Sequence, residues 1–396
     1  MRTGQPTTLR LSGLQLGVLG VALFGTFLSV VGLATDTSHF LHIYLAGVLL
    51  WTEIAIGCLG IMMLNNLINA SWMHVLQRFA EAGAKTLPLT FVFFLPILLG
   101  MSSLYPWAGE AASELKLIGG NEFYLQPGYF AIRTVIYFAI WISMAYGLSY
   151  ISTKLDERED ESLRKQARTI SALGIVVYML TTTLAAFDWT MSLTPEWFSS
   201  AYGWLTLSRI VLVALSFLIL VLAAHWSRDQ FRPHVNQLVI NDLGALLLTT
   251  VLAWAYMNGI SFVVIWSGNV SHFVDWYDLR IVGGWSSLTT LVVVLNGLLI
   301  FLLLVPGLKR QRTALIALAA FAFALRIVEL YWVVVPASPQ ADAPGAWWIA
   351  GPILAVSGFW LFLANYLLSQ QPLLPARHPV LGDEQEVVGA ARGVEG

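Results

Sequence analysis

An all-α protein that crosses a membrane many times is the fold class this sequence predicts, on three observations. Of its 396 residues, 57% are hydrophobic and only 11% are charged, against roughly 25% charged in an average soluble domain. Apolar runs of about 20 residues, the length that spans a bilayer as a helix, recur along the whole chain. The cations fall almost entirely in alternate connections between those runs. A net charge of −2, without a polybasic arm or an acidic tail, gives no footing for nucleic acid.

Ten apolar segments define the spans: 12–34, 43–65, 88–107, 130–152, 170–187, 202–225, 238–266, 283–305, 313–335 and 347–369. The first follows the two arginines of MRTGQPTTLRLSG; its length and the lack of a small-residue cleavage site predict a retained helix. The second carries Glu53 near its middle. It also holds Cys58, the only cysteine, which excludes an internal disulfide and a protein-ligated iron–sulfur cluster. The third contains Pro96 and the tenth Pro352, each expected to kink or break its helix. KLDEREDESLRKQAR, between the fourth and fifth, mixes signs and predicts a solvated helix extension. The sixth holds Arg209, the seventh Asp242 and Asn258, the eighth Asn296, and the ninth Arg326 and Glu329. The seventh is long enough to tilt. Residues 1–371 form one transmembrane domain, and 372–396 a polar, proline-containing tail.

Charge sets the expected orientation. Sixteen cations lie in the N-terminus, the even-numbered connections and the tail, Arg78 and Lys85 of the 2–3 connection among them. The odd connections hold Lys116 and Arg280, with Arg133 at the start of the fourth span. Both termini are therefore expected in the cytoplasm.

Ionisable residues at membrane depth are costly and usually face the interior of a bundle with a task. Glu53, Arg209, Asp242, Arg326 and Glu329 qualify as proton-path candidates. Arg326 and Glu329, three apart, share a helix face and can pair. Glu53 has no partner in its own helix, which suits a proton relay. Two further segments, FDWTMSLTPEWFSSAYG (187–203) and VIWSGNVSHFVDWYDLR (264–280), emerge on the same, non-cytoplasmic side. They add Asp188 and His272 to the proton candidates, and Trp189, Pro195, Trp197, Trp276 and Tyr277 as a docking rim for a partner. An aromatic belt explains the rings equally well, but not Asp188 or His272. A bis-histidine haem needs facing imidazoles at one depth. The seven histidines all sit at helix ends or in connections, His39 and His42 being the only weak pair. No metal-ligated or covalently bound cofactor is expected.

LLWTEIAIGCLGIMMLNNLINASW, EAGAKTLPLTFVFFLPILLGMSSLYPWA, FDWTMSLTPEWFSSAYG and WAYMNGISFVVIWSGNVSHFVDWY occur in that order across spans two to eight. Together they resemble the F subunit of the alternative complex III, within the polysulfide-reductase-like membrane subunits. The resemblance implies two four-helix bundles, spans 2–5 and 6–9, with spans 1 and 10 outside them. It also implies a bacterial cell membrane location and a complex with a paralogous ten-helix subunit, an iron–sulfur subunit and haem c subunits. The sequence departs from the family pattern at Asn65 and Asn66, at Gly259, Ile260 and Ser261, and at His272 and Phe273. These changes remove groups expected beside a quinone head group.

The leading expectation is a redox-silent integral subunit of a quinol oxidoreductase complex that passes electrons to a cytochrome c or copper protein. The chain would scaffold the complex and conduct protons. A quinol-binding subunit of the same complex, with Asp188 or His272 taking the proton, is the first alternative. A secondary transporter, encouraged by Pro96 and Pro352, is the second.

Overall fold

The computed structural model describes residues 13–68, 70–109, 123–158, 160–339 and 347–375. These residues form helices α1 (Gly13–Thr35), α2 (Thr37–Ile68), α3 (Ser71–Ala84), α4 (Leu87–Leu99), α5 (Met101–Leu104), α6 (Pro127–Glu157) and α7 (Glu161–Trp189). They continue with α8 (Tyr202–His225), α9 (Gln237–Gly268), α10 (Ser271–Ile281), α11 (Trp285–Leu304), α12 (Pro306–Lys309), α13 (Arg312–Val334) and α14 (Ala350–Ser369). Among the described residues there is no strand, and ten helical stretches are long and apolar enough to cross a membrane. The chain is thus an all-α, multi-pass membrane protein. The polar tail beyond residue 375, and Lys116, lie outside the described residues.

The sequence-based spans hold with three differences. The 2–3 connection is not a loop: it is α3, an amphipathic helix whose Arg78 and Glu81 are each 1% exposed. Charged residues hid it from an apolar window, yet those charges neutralise one another inside the protein. Arg78 therefore drops out of the loop cations that set the orientation. The third span closes early, because α4 ends at Leu99, one turn beyond Pro96. Tyr105 and Trp107 follow as buried rings packed at a tilt on each other and on Phe130. Finally, Pro352 is the third residue of α14, in the first turn, where an amide would lack an intrahelical partner anyway. It does not interrupt a helix.

α2 is the hub. It is apolar on all sides, the pattern of a helix with no solvent or lipid face, and every residue from His39 to Leu59 is buried. It packs against α3, α4, α6, α7, α8, α13 and α14, and α14 in turn carries α1. α8, α9, α11 and α13 pack on one another. Small residues allow the closest approaches, as in other membrane helix pairs. A Cβ on Gly57 of α2 would lie 2.4 Å from Ala214 Cβ and 2.8 Å from the Ile210 carbonyl oxygen of α8. At the α1–α14 contact, a Cβ on Gly358 would meet Ala22 Cβ at 2.6 Å.

Candidate functional site

The α2–α8 approach at Gly57 places Glu53, one turn away, against Arg209. The guanidinium grips the carboxylate through Nε at 3.0 and 3.2 Å and Nη2 at 2.6 Å, with both side chains at most 5% exposed. Glu53, expected to stand alone, has a charged partner 156 residues away in sequence. A second buried pair, Arg326 with Glu329 on α13, forms as the three-residue spacing predicts. Trp254 Nε1 donates to Glu329 at 2.8 Å, Arg326 donates to Asn296, and its guanidinium lies 4.1 Å from the Trp254 ring centre. Beside Glu53 and Arg209 is a cavity of about 20 Å³, lined also by Thr182, Thr190 and Thr206. It has room for about one water molecule. The hydroxyls of Thr182 and Thr206 are buried without a protein partner, so the cavity wall offers hydrogen-bonding groups between α7 and α8.

At the aromatic end, Asp188 occupies the last turn of α7 and is fully buried. Arg133 donates to it twice, from Nε at 2.9 Å and Nη2 at 2.8 Å, and Tyr137 Oη donates at 2.8 Å. Its geometry is that of a clamp joining α6 to α7. Tyr124 lies under the Arg133 guanidinium, 3.8 Å from its ring centre. Burial, then the Asp188 charge, pushes the Tyr124 hydroxyl up to about 12, so it stays protonated at neutral pH.

The two aromatic segments do come together. Trp197 Nε1 donates to the Phe273 carbonyl at 3.1 Å, and Trp197 stacks on Trp276 with centroids 5.1 Å apart. The expected docking rim is turned inward: Trp189, Trp197 and Trp276 are 3%, 3% and 6% exposed. Trp197 and Trp276 bind the two segments to each other, while Trp189 packs against Phe94, Phe138 and Trp141. Pro195 and the exposed carboxylates Glu196, Asp275 and Asp278 remain at the surface, around a depression of about 760 Å³. Tyr277, half-buried, packs edge-on against Trp276. Arg280, read as a loop cation, is buried. It donates to the carbonyls of Trp276 at 2.6 Å, Trp332 at 3.2 Å and Val333 at 2.5 Å, and lies 3.5 Å from the Trp276 ring centre. Burial lowers its guanidinium to about 9.

Asp242 sits near the start of α9, half-buried and away from these clusters. His272 belongs to α10 by its backbone, and its side chain lies outside the described residues. His39 and His42 stand one turn apart on α2, engaged with Ser338 at 3.1 Å and with the Ser38 carbonyl at 2.8 Å. The sequence reading missed one cluster. Arg78 pairs with Glu81 at 2.5 Å and also with Asp156, while Gln77 and Ser152 complete the network between α3 and α6. The i,i+3 pairing of Arg78 with Glu81 was the available signal.

No protein-family model matches the chain, and a search of curated proteins returned no relative.

Proposed function

We propose that this chain is a redox-silent integral membrane subunit of a bacterial quinol oxidoreductase complex of the alternative complex III kind, which scaffolds the complex and conducts protons. The four quoted segments support the complex assignment. The helix contacts are compatible with the implied arrangement: α2, the continuous α3–α4 stretch, α6 and α7 as one bundle of four spans, α8, α9, α11 and α13 as the other, with α1 and α14 outside. Iron–sulfur and haem c partners would sit over the aromatic end, on the non-cytoplasmic side, against the surface around Glu196, Asp275 and Asp278. The transporter alternative loses half of its support, since Pro352 breaks no helix.

One observation carries the proton role: the Glu53–Arg209 pair at the seam between α2 and α8, beside a water-sized cavity walled by threonine hydroxyls. Asp188 enters this reading as an anchor and not as a port, because it is fully buried and triply hydrogen-bonded. Glu53→Gln alone is an ambiguous test, since it strands a buried arginine. The informative comparison sets it beside Glu53→Gln/Arg209→Gln, which removes both charges and keeps amides in place. In the reconstituted complex, both variants are expected to lower the protons moved per electron, with the haem-bearing partner still co-purifying. Normal stoichiometry in the double variant would make the pair structural only. Purification of the wild-type chain from its native membrane as a lone, transport-active monomer would overturn the complex assignment.

A further inference from the structure

At the cation-rich end of the molecule, α2, α3, α6 and α7 border a cavity of about 540 Å³ that the proton path does not use. Its rim is charged and its charges do not cancel. Arg164, Lys165 and Arg168 of α7 line it together with Asp156 and Glu161. Asp156 is committed to Arg78. None of the ion pairs among the described residues involves Lys165 or Arg168, so among the lining residues these two cations outnumber Glu161.

The floor has a fixed polarity. The Gln77 amide nitrogen donates to Glu81 Oε1 at 3.1 Å and to Ser152 Oγ at 2.9 Å. Its oxygen must then accept, and Asn65 Nδ2 donates to it at 3.4 Å. That orientation leaves Asn65 Oδ1, in a residue 7% exposed, without a hydrogen-bond partner. Such a buried acceptor is costly until a donor reaches it. A ligand that satisfies rim and floor carries both a negative charge and a hydroxyl.

The outer surface of α7 says where that ligand comes from. From Thr169 on the rim, an apolar stripe continues through Leu173, Val176, Val177 and Leu180, which are 69%, 65%, 40% and 60% exposed. The spacing puts these residues on one helix face. We propose that the cavity binds the head group of an anionic phospholipid with a free hydroxyl, of the phosphatidylglycerol type. The phosphodiester lies against Lys165 and Arg168, the glycerol hydroxyl donates to Asn65 Oδ1, and an acyl chain runs along the Leu173 stripe. This site does not depend on the functional reading above. A soluble glycerol phosphate shares the chemistry of the head group but has nothing for the stripe to hold.

The test uses the full chain in detergent, with binding of phosphatidylglycerol, phosphatidic acid, phosphatidylcholine and glycerol 3-phosphate followed by native mass spectrometry and thermal shift. Phosphatidylglycerol is expected to bind tightest. Lys165→Gln/Arg168→Gln, at exposed positions that do not threaten folding, should weaken it roughly thirtyfold, about fivefold for each cation. Asn65→Ala should narrow the preference for phosphatidylglycerol over phosphatidic acid, which lacks the glycerol hydroxyl. Equal binding of phosphatidylcholine, or an unchanged affinity in the double variant, would overturn the proposal. Glycerol 3-phosphate competing as strongly as the lipid would also overturn it, in favour of a soluble ligand.

Discussion

Removing the Asp188 carboxylate would strand the Arg133 guanidinium and the Tyr137 hydroxyl between α6 and α7. Breaking a buried pair from one side costs about 3–5 kcal/mol, and the 19% exposure of the Arg133 side chain points to the lower figure. Asp188→Ala should therefore lower the thermal midpoint of the detergent-solubilised chain. Arg133→Ala/Asp188→Ala should lose less than the sum of the single variants; strict additivity in scanning fluorimetry would mean that the two side chains do not act as a pair. Arg280 makes a sharper case, because its planar fork reaches three carbonyls at once. Lysine keeps the charge but not the fork. At about 1.5–3 kcal/mol for each hydrogen bond to a charged group, Arg280→Lys should destabilise the aromatic end measurably in the same assay. The sequence exposed these residues unevenly. Arg326 and Glu329 could be paired on paper because helix geometry relates them. Glu53 and Arg209 could not, since only tertiary packing brings α2 to α8. Arg280 was hidden for another reason: its partners are backbone carbonyls, which no residue letter records.

Among the elements, the α2–α8 contact depends on the missing side chain of Gly57. A Cβ there would be 2.8 Å from a backbone oxygen, which cannot rotate away as a side chain can. Gly57→Val should push α8 outward, lengthen the Glu53–Arg209 contact and expose Arg209. A rise in protease sensitivity and a lower thermal midpoint would register the change, and unaltered values would mean that α8 adjusts at no cost. The start of α7 depends on a cap: Asp160 Oδ1 accepts from the backbone nitrogens of Ser162 and Leu163 at 3.0 and 3.4 Å. The Ser162 hydroxyl, then these amides, lowers the Asp160 carboxyl below its usual range. A carboxyl lowered by folding stabilises fully above its unfolded value of about 3.9 and loses that contribution as pH falls through the folded value. The protection of the first-turn amides of α7 against hydrogen exchange, taken relative to the intrinsic rate at each pH, should accordingly fall on acidification below pH ~4, and Asp160→Asn should flatten that dependence. The long apolar spans were legible because their length alone betrays them. α3 was not, because a helix buried with its own counter-charges looks, in sequence, like a loop.

At the scale of the whole molecule, the asymmetry of its two ends is the feature that a bilayer must resolve. One end carries Arg164, Lys165 and Arg168 around the α6–α7 turn, while the other exposes Glu196, Asp275 and Asp278. Cations are retained on the cytoplasmic side of a membrane, and carboxylates contribute little to that choice. Moving Arg78 from a loop into the core subtracts one charge from the bias without reversing it. The orientation can be measured on the chain itself because its only cysteine, Cys58, is fully buried and gives a silent background. Glu196→Cys and Gln166→Cys each place a thiol at an exposed position, at opposite ends of α7 and its following segment. In intact cells, a membrane-impermeant maleimide should label Glu196→Cys and spare Gln166→Cys until the membrane is opened. The converse pattern would put the aromatic end in the cytoplasm. Extracytoplasmic electron carriers would then be unable to dock there, and the proposed assembly would fail on geometry alone.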